Sequence, residues 1–402
     1  MVQAMDDGVA AYSDRVVAAV LGYAELASIV LGDGLGWYAA LAEAGGAGLT
    51  PAELAAGTGT QERYAREWLE QQSVAGFVEV VQDAGTAQDA GPRFILPPGA
   101  AEVLLQPDSL TTLMPMVRML RAGVAQLPEL VQAFRHGGGV GWAEIGSEAR
   151  ESQAAGNKPW FDQRLGTALA SVPEIHEVLS RQGARITDLG AGFGWSTLAL
   201  ANAYPGAAVV GIDIDEPSIE QARKNARRRG LEGRATFRLA DADADADSAV
   251  AADAVADSAV AADAVAADAV AADADAADAA DAGAPGSQDA VFIFEALHDM
   301  PFPVQVLAAV RAMVKSDGVV VVMDEAVADA FGPAGDELER LMYAYSLFIC
   351  LPDSLSIPGS AGTGTVMRQS VLERYAAGAG YSAVERLPIE GFSAFRFYRL
   401  HL

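Results

Sequence analysis

The run Asp188-Leu189-Gly190-Ala191-Gly192-Phe193-Gly194 is the first stretch of the 402-residue chain whose residue types and spacing imply chemistry. Closely spaced glycines let a backbone turn tightly and approach a ligand. A dinucleotide-binding fingerprint would carry Gly or Ala at 195, where Trp195 stands. Asp188, two residues ahead of the first glycine, would repel a pyrophosphate and favour a cation. Asp213, 19 positions after Gly194, can accept hydrogen bonds from both hydroxyls of a ribose. Asp241 offers a further carboxylate on the adenine side of such a ligand, and Ile214 beside Asp213 is grouped with the ligand-binding residues. A second stretch, Phe294-Glu295-Ala296-Leu297-His298-Asp299-Met300-Pro301, contains one of only four histidines. A histidine titrates near neutrality, which suits removal of a proton from a phenol or enol. Asp324 and Glu325 are candidates for holding that imidazole, and Glu295 for contacting ligand.

These residues need elements to position them. From residue 184 the apolar runs Ile186 to Leu189, Ala208 to Ile212, Ala235 to Leu239, Ala290 to Phe294 and Val319 to Met323 read as buried strands. Between them, Trp195 to Tyr204, Ser218 to Arg229 and Val304 to Val314 read as helices. Strands alternating with helices predict an α/β fold, a doubly wound and mostly parallel sheet. Val384 to Leu387 and Phe395 to Leu400 predict an antiparallel pair at one edge. In such sheets ligands lie at the carboxyl ends of the strands. Asp188, Asp213, Asp241 and His298 all fall there. S-adenosylmethionine, which has no phosphate and carries a sulfonium and an ammonium, is a ligand such a site would suit.

Together Asp188 to Gly194, Asp213 and Asp241 resemble the motifs of class I S-adenosylmethionine-dependent methyltransferases. The resemblance covers about residues 184–402 and implies a seven-stranded Rossmann-like sheet. Leu297-His298-Asp299-Met300 resembles the Leu-His-Asp-Trp motif of small-molecule O-methyltransferases, with Met300 in place of Trp. The resemblance implies that His298 is the general base and that Asp324 or Glu325 orients it. It further implies a homodimer acting on a small, aromatic or enolic acceptor, with Tyr343, Phe348, Leu351 and Met367 around the acceptor. Asp299 is expected to cap the helix that begins near Pro303. Two other functions are open to these residues: metal-assisted C-methylation with Asp299 and Glu325 beside His298, and a non-catalytic regulator that binds S-adenosylmethionine. No spacing among His136, His176 and His401 suggests a metal site.

Residues 1–104 read as short helices and a hairpin, a winged-helix-like domain. Thr50 is a predicted N-cap with Glu53 completing a capping box, Gly57 the end of that helix, and Thr60 the opening of the next. Phe77 to Val81 and Phe94 to Leu96 form the wing. Winged helices often bind DNA, but residues 1–100 hold 13 acidic residues against 4 Arg. Phosphates would repel such a surface, so nucleic acid is excluded as a partner. The formal charge of −27 argues equally against anionic membranes. Residues 105–182 read as a helical linker and substrate-side helices, and 183–402 as the methyltransferase domain. Within it, residues 242–287 are an Ala/Asp-rich insertion with eleven Asp and no Lys or Arg, read as a solvated addition to the fold. One cysteine excludes an internal disulfide. Neither a leader-like start nor an uncharged run of 18 apolar residues is visible, so the expected location is the cytoplasm.

Overall fold

The computed structural model describes residues 2–81, 91–240, 284–333 and 335–402. Asp241 and nearly all of the Ala/Asp segment lie outside these residues. The chain divides into two compact units, residues 1–121 and 122–402. Residues 122–182 therefore belong with the sheet rather than forming a unit of their own.

The first unit packs short helices around a core of Trp37, Tyr38, Leu41, Leu54, Trp68 and Leu69. The helix Pro51–Thr58 starts with the expected reciprocal cap: Glu53 N donates to Thr50 Oγ1 at 3.3 Å and Thr50 N to Glu53 Oε2 at 2.8 Å. It ends at Gly59 in a left-handed conformation, two residues later than predicted. The next helix runs Glu62–Val74, with no side-chain cap. Thr60 is instead an acceptor for the Trp37 indole N–H at 3.3 Å, so its hydroxyl serves the core. β1 (Glu79–Val81) and β2 (Arg93–Ile95) pair antiparallel as the wing. The first helix runs Val2–Gly34 and so is not one of the short helices expected. By length and composition alone, residues 7–34 could cross a membrane, although Asp14, Arg15 and Glu25 interrupt them.

The second unit is built on β3 (Arg185–Leu189), β4 (Ala208–Asp213), β5 (Ala235–Leu239), β6 (Gln288–Phe294), β7 (Val314–Glu325), β8 (Ala383–Arg386) and β9 (Phe395–His401). Their order is β5-β4-β3-β6-β7-β9-β8. The first five are parallel and the last two are joined antiparallel, as the sequence predicts. All seven residues of β6 are buried, as are Gly318 to Glu325 of β7. A strand covered on both faces is apolar along most of its length, which is why Ala290 to Phe294 and Val319 to Met323 do not alternate. One core, including Leu198, Phe292, Phe294 and Phe397, lies on one face of the sheet. The other, including Val291, Val306, Val310 and Leu372, lies on the opposite face.

The strand order reverses direction between β3 and β6. Successive strands first add outward on one side, β4 and then β5, and then on the other, β6 and then β7. Such a reversal opens a crevice at the carboxyl ends of the two central strands. The glycine run follows β3 and the histidine segment follows β6, so both border it.

Candidate active site

At the end of β3 the chain must turn into the helix Trp195–Ala203. Gly190 (φ +74°) and Gly194 (φ +80°) take left-handed conformations there. A Cβ on Gly190 would lie 2.5 Å from the Ala296 Cβ, and one on Gly194 would lie 2.5 Å from the Phe237 ring. These two glycines are required by packing as well as by backbone geometry. Gly192 (φ +51°) has no atom within 4 Å of its would-be Cβ, so open space lies over the loop at this point.

Asp188 sits under the loop and is fully buried. Its Oδ2 accepts the hydroxyls of Ser196 and Thr197, each at 2.6 Å, which ties strand end to helix start. Its Oδ1 has no hydrogen-bond partner among the described residues. Burial pushes its pKa up to about 6, against the two hydroxyl hydrogen bonds that lower it. Asp213 closes the loop from β4: its Oδ2 accepts Gly192 N at 2.7 Å and its Oδ1 accepts Asp215 N at 2.9 Å. Its pKa too is raised, mainly by burial. Each carboxylate oxygen has two acceptor positions, so Asp213 retains capacity for two ribose hydroxyls. Ile214 projects beside it, 69% exposed.

Glu295 follows β6 in a left-handed conformation (φ +52°) that a non-glycine residue adopts only at a cost of about 1–3 kcal/mol. Its N–H remains bonded to Met323 O at 2.8 Å, so the strand pairing carries through the bend. Its Oε2 accepts the Asn157 side-chain amide at 2.5 Å. Burial raises its pKa to about 7. Asn157 and Gln153, which also hydrogen-bonds this carboxylate, lie on the helix Ser147–Trp160. Neither stood out in the sequence, because a polar residue on a mixed helix carries no distinguishing pattern.

Three residues on, His298 is 2% exposed. Both oxygens of Asp324 lie 3.1 Å from its Nδ1, and Glu325 Oε2 lies 3.4 Å from the same nitrogen. Both carboxylates end β7, and the parallel β6–β7 register brings them beside the β6 exit. Asp299 Oδ1 is 3.4 Å from Nε2 on the other side of the ring. The helix Pro303–Met313 has no side-chain cap, so the predicted capping role of Asp299 gives way to this contact. Burial works against the imidazolium, but the charges of Asp299, Glu325 and Asp324 outweigh it and hold the His298 pKa well above its ordinary value. Burial pushes Glu325 well above the carboxylate range, and the neighbouring imidazolium draws Asp324 below it despite burial.

The segment expected to surround an acceptor is less uniform. Tyr343, Phe348 and Leu351 are at least partly exposed, whereas Met367 is 3% exposed within the β6–β7 core. Cys350, at the end of a π-helical turn over Ser346–Cys350, lies beside His298 and Asp299. Asp353 accepts Trp142 N at 2.7 Å, and burial together with the charge of Asp299 raises it to about 7.

The glycine loop thus offers open backbone over a buried, partly unpaired carboxylate, with a second carboxylate at its rim. These residues fit a nucleoside with positive charge, and they do not provide the cationic clamp that a pyrophosphate needs. A family model described as a methyltransferase domain matches residues 180–348. A release factor glutamine methyltransferase of Rhodospirillum rubrum is 48% identical over 64 residues, which is 16% of this chain and 20% of that protein. The corresponding protein of Agrobacterium fabrum is 45% identical over 64 residues, 16% of this chain and 22% of that protein. The chain thus spans about a fifth of the length of these curated relatives. Solved structures share the fold over almost the whole chain. An O-methyltransferase family protein of Burkholderia thailandensis superimposes with a TM-score of 0.65 at 16% identity, covering 96% of both chains. Mitomycin 7-O-methyltransferase does so with 0.64 at 18% identity, covering 98% of both. Human N-acetylserotonin methyltransferase, in complex with S-adenosylmethionine, gives 0.62 at 15% identity over 97% of both. Residues 180–348 thus match a methyltransferase domain, and the chain has the fold of solved O-methyltransferases.

Proposed function

We propose that the protein transfers a methyl group from S-adenosylmethionine to an oxygen of a small acceptor, with His298 as general base. The observation that carries this reading is the buried imidazole at the exit of β6, fixed through Nδ1 by Asp324. When bound, the donor supplies an electrophilic methyl group on a good leaving group. The chain's own work is to hold the partners in line and to receive the acceptor's proton. Asp324 fixes the ring and Glu325 supports the same nitrogen, which leaves Nε2 as the proton acceptor. Asp213 and the backbone around Gly190, Gly192 and Gly194 would hold the nucleoside, with Glu295 and Asp241 as further contacts. Asp188 would act from beneath, through its charge and through the helix start that it anchors.

That role makes the binding pH-dependent. A folded-state pKa of about 6 for Asp188 means that the native chain holds this proton more tightly than the unfolded chain. The resulting stabilisation is present below the unfolded pKa and is lost as pH rises through the folded one. A cation bound above Asp188 favours the ionised form, so binding should release a proton near pH 6. Calorimetry with S-adenosylhomocysteine, whose ammonium remains, should show an affinity that rises up to about tenfold from pH 5 to pH 7. Buffers of different ionisation heat should report the proton, and Asp188→Asn should abolish this part of the pH dependence. No binding of S-adenosylhomocysteine by folded protein would end the whole reading.

The homodimer expected from the family resemblance is supported by the first helix. Val9, Tyr12, Val16, Val20 and Tyr23 are all at least half exposed, an apolar surface that water disfavours and a second copy would cover. Val16→Asp with Val20→Asp should convert a dimer into a monomer in light scattering coupled to size exclusion. A monomeric wild-type chain at micromolar concentration would remove the proposal.

A further inference from the structure

We propose that His298 Nε2, the Cys350 sulfur and the Asp299 carboxylate form a binding site for one thiophilic divalent cation of the zinc class, which takes the imidazole nitrogen out of catalytic use when bound. The three ligand atoms lie within 4.8 Å of one another. The His298 Nε2 to Asp299 Oδ1 distance is 3.4 Å. Around a tetrahedral ion with bonds of about 2.0–2.3 Å, neighbouring ligand atoms stand roughly 3.3–3.7 Å apart. The nitrogen and oxygen already have this spacing, and the sulfur needs a shift of no more than about 1 Å to reach it.

Two further features point to an ion. Thr365 is 1% exposed and its Oγ1 has no hydrogen-bond partner among the described residues, although it lies beside the Cys350 thiol. Asp299 Oδ1 is a buried atom whose polar neighbours are His298 Nε2, at 3.4 Å, and the Cys350 thiol. An unpaired buried oxygen is costly, and an ion-bound water would satisfy that of Thr365, while the ion would take the Asp299 carboxylate as a ligand. The imidazole is also prepared as a metal ligand. Its Nδ1 is held by the Asp324 carboxylate, and a metal-bound histidine ordinarily places its second nitrogen on a carboxylate in this way. Cys350 and Asp299 both keep partial exposure, so an ion can enter from solvent. On binding, the ion displaces the thiol proton and any proton on Nε2 into solvent, with no change of oxidation state. A second set, His298 Nδ1 with Asp324 and Glu325, is equally compact but offers no sulfur, and its nitrogen is already engaged.

The inhibitory consequence rests on His298 acting as the proton acceptor; the binding itself does not. Because the chain has a single cysteine, any thiolate-to-metal signal must come from Cys350. Titration of the full chain with Co2+ alone should give one ion per chain and a near-ultraviolet thiolate charge-transfer band that Zn2+ displaces. Cys350→Ser should lose the band and weaken Zn2+ at least about tenfold, while Asp299→Asn should keep the band with weaker binding. Thermal melting of both variants checks that they fold. Saturable binding without the band, or Zn2+ affinity unchanged in Cys350→Ser, overturns the site. If the band forms and Zn2+ stops methyl transfer until a chelator is added, both parts hold. If the band forms and transfer continues undiminished, the site stands, while its inhibitory role and the assignment of His298 as base both fall.

Discussion

Replacing His298 by Ala should lower the rate of methyl transfer about 10²- to 10⁴-fold, the usual contribution of a positioned general base, and leave the affinity for S-adenosylhomocysteine within a few-fold. In this reading the imidazole receives a proton and does not hold the nucleoside, so the loss should fall on kcat. The pH profile supplies a second test. Burial opposes the imidazolium, but Asp299, Glu325 and Asp324 together hold His298 protonated beyond its ordinary range. A base must first lose that proton, so the ascending limb of kcat/KM against pH should lie above the free-imidazole value of about 6.5. Asp324→Asn removes the charge that Nδ1 faces, so the limb should move to lower pH while the rate at its plateau falls through loss of ring orientation. An unchanged turnover in His298→Ala, with the true acceptor at saturation, would show that the imidazole is structural.

Asp213→Ala should weaken S-adenosylhomocysteine about 10²-fold or more. Two effects combine. The carboxylate holds the loop by accepting Gly192 N and the following turn by accepting Asp215 N. Its remaining acceptor positions would receive the ribose hydroxyls. Hydrogen bonds to a charged group contribute about 1.5–3 kcal/mol each, and loss of two of them accounts for the expected change. Asp213→Asn keeps one acceptor oxygen and should fall between wild type and Ala. Calorimetry at fixed pH distinguishes the three, and a change under about threefold in Asp213→Ala would place the nucleoside elsewhere.

Much of this site could be read before any coordinates, because its residues stand at strand ends and strand ends are marked by composition. The runs at β3, β4, β6 and β7 are mostly apolar, since both faces are covered, and polar or glycine residues at or just after their ends mark the carboxyl edge. Asp188 and Asp213 were legible for that reason, and so was His298. The same logic failed for local caps. Thr60 and Asp299 have the residue types of helix caps, but the Trp37 indole claimed one and the His298 ring the other. A side-chain hydrogen bond goes to whichever partner the fold brings nearest, and sequence spacing cannot state that distance. Exposure shows the same limit for apolar residues: of the four expected around an acceptor, Met367 alone is buried, at 3% exposure.

The amino-acid sequence by itself therefore determined the doubly wound sheet, the order of its motifs and the sign of charge suited to the ligand, all of which follow from local periodicity and residue type. Only the tertiary structure decided that Asp324 engages Nδ1 with both oxygens and that Asp188 lies beneath the loop rather than facing its opening. It likewise revealed that Asn157 reaches Glu295 and that Cys350 lies beside His298. Those pairs are separated by up to 138 residues along the chain, and what joins them is the register of parallel strands and the path of helices across the sheet.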